Sequence, residues 1–401
     1  MALKISDVAA NPALKRMAQT ADTDKSGTVT KQEFKALEKK VEARTRKPTE
    51  EAEAAFGGLK KLVMDDVAPA KVLKALEDTS ARGGRSNALA VRTGKAGGPA
   101  KVDGDARAGD LSRLNETQRA VMKDVEAKAA QRSKAARPAL ETRVKSLGYT
   151  VAQLDKALEY IKTSAPTTIN FSPDKALRQQ TSAYGAAATM KYEVKVDREK
   201  SRLIDAFAVD GHYKNQFETG ITSGSSSAYP GGSRDGWEKN IFEGGYHKHD
   251  LIPAERPKYG ALNAGQYANS TASHYGSCYF ELKAEARSRI TFTAGNSSGK
   301  QAKDVGTAQH FQHVLLAVDE PQFRQIMDVA NGKAAGGPST SWQYIEAQVH
   351  GPVEFHTDLD TVVINTSFKG TEYEKKLREF ADANDLAIKW HDGKTVTKDK
   401  G

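Results

Sequence analysis

The sequence predicts an α+β protein in which helices come first and strands gather after them. Three observations carry that expectation. Up to about residue 163 the chain is dominated by Ala, Lys, Arg and Glu, whereas after Pro166 aromatic, Gly and β-branched residues rise. The candidate strands in that later part follow one another with few helices between them, unlike the alternation of a doubly wound parallel sheet. No GxGxxG follows a strand, so a Rossmann-type dinucleotide fold has no fingerprint.

Taken in order, residues 1–80 read as a helical region built around an EF-hand, ending in the helical stretch "EAEAAFGGLKKLVMDDVAPAKVLKALED". Residues 81–111 carry almost no bulky apolar side chains and read as a flexible linker. Residues 112–165 are a helical segment. In it, Pro138 fits the first turn of a new helix, and Thr150 with Gln153 forms a capping box. Residues 166–401 hold the candidate strands "HYKNQFE", "KYGAL", "GSCYFELK", "SRITFTA", "HVLLAV", "YIEAQVH", "TVVIN" and "LAIKW". The helices among them are "GGSRDGWEKNIFE" and "GTEYEKKLREFADAND", the second marked by a Thr371–Glu374 capping box.

The stretch "DTDKSGTVTKQE", residues 22–33, matches the EF-hand loop at its diagnostic positions. Asp22, Asp24 and Ser26 supply oxygens at positions 1, 3 and 5, and Gly27 makes the sharp turn at position 6. Thr28 offers its carbonyl, Thr30 acts through water, and Glu33 closes the loop as a bidentate carboxylate. Calcium is therefore the expected ion. Val29 is the apolar residue that pairs such loops through a short β-bridge. A second loop is missing; Asp103, Asp105 and Asp110 have acidic spacing out of register with it.

Bulk properties exclude several classes. No apolar run approaches the roughly 18 residues of a membrane span, and the first residues lack the h-region of a cleavable signal. A single cysteine, Cys278, forms no internal disulfide and lies in a buried strand pattern. The net charge of +9 suits an acidic partner, but Lys and Arg are interleaved with Asp and Glu, and no nucleic-acid module appears. There is no Walker loop, no HExxH and no GxSxG.

The stretch "SWQYIEAQVHGPVEF" stands out. Tyr344, Glu346, Gln348 and His350 alternate with Ile345, Ala347 and Val349, so one strand face is apolar and the other carries a carboxylate, an amide and an imidazole. Three segments accompany it. "QFETGITSGSSSAYPGG" is a run of glycines and hydroxyls that lets backbone approach a ligand. "ERPKYGALN" places Arg256, Tyr259 and Asn263 around a strand, with the guanidinium suited to phosphate. "TFTAGNSS" leads a strand into a Gly/Ser turn.

These motifs, with "INFSPD", "GHYKNQFETGITSG", "YPGGSRDGWEKNIFEGGY", "YGSCYFELK" and "DVGTA", resemble a bacterial domain family long catalogued without a function. Some of its members are similar to the CteC type of effector, which attaches ADP-ribose from NAD to ubiquitin. The resemblance spans roughly residues 167–380. It implies a split β-sheet ADP-ribosyltransferase-like domain following the α-helical EF-hand region, with NAD as substrate. It also implies a bacterial effector or toxin that enters a host cell without a cleavable signal peptide, or is otherwise cytoplasmic. No nucleic acid and no membrane span are expected.

On that resemblance Glu346 bonds the 2′-OH of the nicotinamide ribose and stabilises the oxocarbenium ion. Gln348 orients the ribose or the acceptor, and His350 takes a proton from a hydroxyl acceptor. Glu preceding Gln favours a Thr or Ser acceptor, on ubiquitin by the resemblance, over arginine. The grip on NAD falls either to His212, Lys214 or Gln216 with "KYGALN" as the hydroxyl strand, or to Arg256 with "TFTAGNSS". Glu218, Thr219 and Ser223 of the Gly-rich segment complete the expected NAD-binding set. Three rivals remain: an NAD glycohydrolase, a calcium-dependent non-catalytic binding module, and a glycosidase pairing Glu218 with Glu346.

Overall fold

In the computed structural model, residues 3–8, 18, 21, 22, 24, 26–42, 59, 60, 63, 111–177, 192–221, 228–249, 251–333, 336, 337, 339 and 343–393 are described. Ser223, nearly all of the 81–111 linker, and Asp103, Asp105 and Asp110 lie outside them. The chain divides into two compact units, Met1–Gly97 and Gly98–Gly401.

In the first unit, strand β1 (Leu3–Lys4) pairs antiparallel with β2 (Thr28–Val29), and helix α1 (Lys31–Glu42) follows the loop. Val29 does make a β-bridge, but its partner is Leu3 near the amino end. Val29 and Phe34 are fully buried, so this strand supplies the pairing that a second EF-hand loop would give.

The second unit begins with two helices, α2 (Glu116–Ser146) and α3 (Val151–Thr163). Asn115 and Gln118 cap α2 reciprocally, and Thr150 with Gln153 caps α3 as expected. Pro138 starts no new helix; it lies inside α2. Loss of one backbone bond at proline costs about 3 kcal/mol. Burial of Val121, Val125 and Ala129 before it, and Leu140 and Val144 after it, offsets that cost.

Strand β3 (Thr167–Phe171) leads to α4 (Leu203–Asp210), the short α5 (Gln216–Thr219) and α6 (Ser233–Ile241). Then come β4 (Lys258–Leu262), β5 (Cys278–Leu282), β6 (Ile290–Ala294) and β7 (Val305–Thr307). Helices α7 (Gln312–Ala317) and α8 (Glu320–Ala330) precede β8 (Ile345–Val349). The chain closes with α9 (Phe355–Asp358), β9 (Leu359–Asn365), α10 (Glu372–Ala383) and β10 (Ala387–His391).

The α+β class holds. The strands form one eight-stranded sheet of order β10-β9-β5-β3-β4-β8-β6-β7, antiparallel except for the β9–β10 edge. Among the described residues the division into two half-sheets does not appear, because β3, β4 and β8 are hydrogen-bonded across the middle. Register separates two faces. Phe292, Ala347, Gly260, Ile169, Phe280 and Val362 follow one another across the sheet on the apolar face, and most belong to one core with residues of α2, α3, α4, α7 and α10. The expected helical segment is thus packed into the core of the sheet.

Two expected strands are helices. "HYKNQFE" becomes a turn and α5, because Asn215 accepts from the Phe217 and Glu218 amides while Glu218 accepts from Asn215. "HVLLAV" becomes α7, whose Val314 and Leu315 are buried; a short apolar run does not tell a buried strand from a buried helix. The Thr371–Glu374 box does not form either. Thr371 donates to the Phe368 carbonyl, and Glu374 accepts from Gly370 one residue upstream.

Candidate functional site

The second sheet face carries Thr291, Thr293, Glu346, Gln348 and Tyr259, all side by side by register. Polar alternation on a strand usually means a wet face; here it is enclosed. Glu346 is 4% exposed, and Gln348, His350, Thr291 and Thr293 are fully buried. Such groups require partners, and the partners found form a single directed chain.

The direction follows from which atoms can only accept. Gln348 Nε2 donates to Glu346 Oε1 at 3.1 Å, which leaves Gln348 Oε1 to accept from Thr291 Oγ at 2.9 Å. Thr291 Oγ then accepts from His350 Nε2 at 3.0 Å, so His350 Nδ1 accepts from the Tyr246 hydroxyl at 2.5 Å. From the other side Tyr344 donates to Glu346 Oε2 at 3.0 Å, and its oxygen accepts from Tyr275 at 3.0 Å. Asn296 Nδ2 donates to Tyr275 at 3.1 Å, its own oxygen being held by the Ser298 amide. The Ser297 amide adds a further donor at 3.2 Å. Apart from a second Gln348 Nε2 bond to Thr293 at 3.3 Å, the donors of the chain point toward one carboxylate. Burial pushes the Glu346 pKa above the ordinary carboxylate value, while Ser297, Gln348, Arg234 and Tyr344 oppose it. Among the described residues three donors meet this carboxylate, which leaves one of roughly four lone-pair sites unused.

Two expected roles change here. His350 is no general base: burial first, then Arg289 and Lys258, hold its pKa down to about 3, and both ring nitrogens are engaged. Gln348 is enclosed between Thr291, Thr293 and Glu346, so it holds the carboxylate rather than touching a ligand.

The expected phosphate grip by Arg256 also fails. Arg256 is 2% exposed and donates at 2.6 Å to both Glu238 and Asp235, between the rings of Phe217 and Tyr246. A guanidinium so neutralised has nothing left for an anion. Tyr259 donates to Glu238 at 2.7 Å, and Asn263 closes its own turn through Tyr267. Glu218 accepts from the Asn215 amide in the α5 capping box and lies 3.8 Å from the buried Lys258, which removes it as a glycosidase partner of Glu346. Lys214 is held by Asp210, and His212 bridges Glu354 through its backbone with its pKa lowered by burial.

Sequence reasoning missed Arg234, on the first turn of α6. It has no hydrogen bond or ion pair among the described residues, and its Nε is buried without a partner. Its guanidinium lies 5.1 Å from the Tyr259 ring centroid and 5.8 Å from that of Trp237, and its charge lowers the pKa of Glu346. Tyr275 and Tyr246 were also missed, whereas Thr291, Thr293 and Asn296 lie in "TFTAGNSS", the segment offered as one alternative for the hydroxyl strand.

Tyr275 connects the chain of hydroxyls to a narrow cleft. Gln216 and Thr219 line this cleft, with Asn170, Phe171 and Phe207. Of the expected NAD-binding set, these two and Lys214 are brought to this hollow, which Tyr275 and Tyr344 link to Glu346.

In the first unit the carboxylate oxygens of Asp22, Asp24 and Glu33 lie within 4.8 Å of one another. Two oxygens about 2.4 Å from a shared cation can be no farther apart than that, so the set fits a hard divalent ion. Asp22 is oriented by the Ser26 and Gly27 amides, and Gly27 has φ +77°. Ser26 hydrogen bonds lower the Asp24 pKa. Ser26 Oγ lies 3.3 Å from the Thr28 carbonyl, and Thr30 donates to Glu33 at 2.8 Å, where it would be the water-mediated position.

A family profile described as a protein of unknown function (DUF3626) matches residues 192–335 and 334–400. It takes in Arg234, Glu346 and every strand of the large sheet except β3. No curated protein matches the sequence. Among the described residues no helix is long and apolar enough to cross a membrane.

Proposed function

We propose, for a chain that belongs to the DUF3626 family of proteins of unknown function, that it is a mono-ADP-ribosyltransferase acting on NAD. The observation that carries this reading is the convergence of donors on Glu346, an enclosed carboxylate linked through the Tyr344 and Tyr275 hydroxyls to a cleft that Tyr275 lines. A negative charge fixed in a dry site favours a developing cation without reorganisation. The bond from nicotinamide nitrogen to the ribose C1′ breaks, and its electron pair stays on the ring nitrogen. Positive charge develops on the ribose next to Glu346. An acceptor hydroxyl oxygen then bonds C1′, and its proton passes to the Glu346 carboxylate, whose raised pKa suits it to receive one. Arg234, whose guanidinium lacks an ion-pair partner among the described residues, would meet the diphosphate in place of Arg256.

A Thr or Ser acceptor on ubiquitin, and action as a bacterial effector, rest on the sequence resemblance alone. Calcium would be held by Asp22, Asp24, Glu33, Ser26 and the Thr28 carbonyl, and would order the amino-terminal loop. The test is incubation of the full chain with NAD and ubiquitin. Nicotinamide release with a mass increase on ubiquitin supports transfer. Nicotinamide with only free ADP-ribose favours the glycohydrolase. No release, with or without calcium, leaves the binding module.

A further inference from the structure

Resting on that reading of Glu346, we infer that the cleft bordered by Tyr275 seats the carboxamide of the leaving nicotinamide, with Asn170 selecting carboxamide over carboxylate. Asn170 is 9% exposed, and its Nδ2 donates to the carbonyls of Gly276 at 3.1 Å and Asn269 at 3.4 Å. Those two acceptors fix the amide, so its oxygen must be Oδ1 on the other side. Asn170 Oδ1 is buried with no partner, and so is Gln216 Oε1. Both residues line the same cleft, with apolar walls from Phe171, Phe207, Leu203 and Val194. The same lining carries Lys175, Lys214 and Asp210, with Lys214 held by Asp210; between the apolar walls, two unsatisfied acceptors call for a flat ligand that carries N–H donors.

Asn170 shares a sheet face with Glu346. Thr168, two residues before Asn170, pairs with Ala261, and Ala261 pairs with Glu346. Two strand spacings and two residues of rise separate the backbones of Asn170 and Glu346 by about 12 Å. That gap suits a pyridine ring and its ribose once both side chains reach in. An aminopurine offers similar N–H groups, but the link from Tyr275 through Tyr344 ties this cleft to Glu346, the carboxylate assigned to the reacting end of NAD. A carboxylate brings no N–H and sets a negative charge against Asn170 Oδ1. Water can hold these acceptors until ligand arrives; an amide replaces its hydrogen bonds and a carboxylate does not.

The experiment is calorimetry on the full chain with nicotinamide, nicotinate and adenosine as separate probes. Nicotinamide should bind, nicotinate at least ~10-fold more weakly, and adenosine should not compete with nicotinamide. Asn170→Ser should lose nicotinamide by a similar factor and with it the discrimination. Gln216→Leu, at a half-buried position where folding survives, should weaken nicotinamide in the same sense. If Asn170→Ser does not fold, the comparison of ligands on the unaltered chain decides. Equal binding of nicotinamide and nicotinate, displacement of nicotinamide by adenosine, or no binding of nicotinamide overturns the inference. Discriminating nicotinamide binding without NAD cleavage would sink the transferase reading and leave this one standing; cleavage without discrimination would do the reverse.

Discussion

Replacing Glu346 by Gln separates chemistry from architecture, because the donor chain predicts what each part loses. In Glu346→Gln the amide oxygen can still accept from Gln348 and the Ser297 amide. Its NH2 then faces Tyr344, whose hydroxyl must turn to donate to Tyr275. Tyr275 already accepts from Asn296, so its own proton loses its acceptor. One hydroxyl left without a partner costs about 1 kcal/mol, too little to unfold the domain. The lost negative charge has no substitute, and removal of such a group slows the chemical step by about 10²–10³-fold. The assay is nicotinamide release from NAD by chromatography, with urea unfolding of the same sample. Turnover within a few fold of the parent protein, in a folded variant, would refute the reasoning. Unfolding of the variant would instead show that the network is worth far more to the fold than its hydrogen bonds imply.

Three further predictions concern the same face and the two units. His350 is neutral when folded, so its contribution to stability is complete above its ordinary pKa of 6.5 and is lost as pH falls toward about 3. That range corresponds to roughly 5 kcal/mol when fully expressed; His350→Gln should flatten this part of the acid limb in urea titrations, and an unchanged limb would count against the buried neutral ring. Arg256→Met leaves Asp235 and Glu238 buried without their cation and should cost about 3–5 kcal/mol, measured as a lowered urea midpoint; a change under 1 kcal/mol would show that the carboxylates find other partners. In the first unit, Glu33→Gln should abolish the calcium heat seen by calorimetry while leaving NAD turnover measurable, and persistent calcium binding would reject the assigned ligand set.

Much of the sheet was legible because its strands alternate. β4, β5, β6, β8, β9 and β10 fall where period-2 runs bounded by turn residues place them. The two strands that became helices failed for different physical reasons. "HYKNQFE" was decided by the Asn215 cap, a local hydrogen bond that outweighs alternation, and "HVLLAV" by burial on all sides, where periodicity carries no information. Pro138 misled because tertiary packing holds one long helix on both sides of it. At the site, Glu346 was readable as the centre of a polar face, but which groups approach that face is a long-range matter. Arg234 and Tyr275 lie 112 and 71 residues from Glu346 in sequence, so no spacing rule links them. Arg256 and Arg234 look equally suited to phosphate in the sequence; only the buried Asp235 and Glu238 show that one is already neutralised.

The most direct measurement of the central claim is a crystal structure of the full chain with NAD or a non-cleavable NAD analogue. The account predicts a Glu346 oxygen about 2.6–3.2 Å from the 2′-hydroxyl of the nicotinamide ribose, with the diphosphate toward Arg234. A dinucleotide bound elsewhere, with Glu346 still closed in by Gln348, Ser297 and Tyr344 alone, would contradict it.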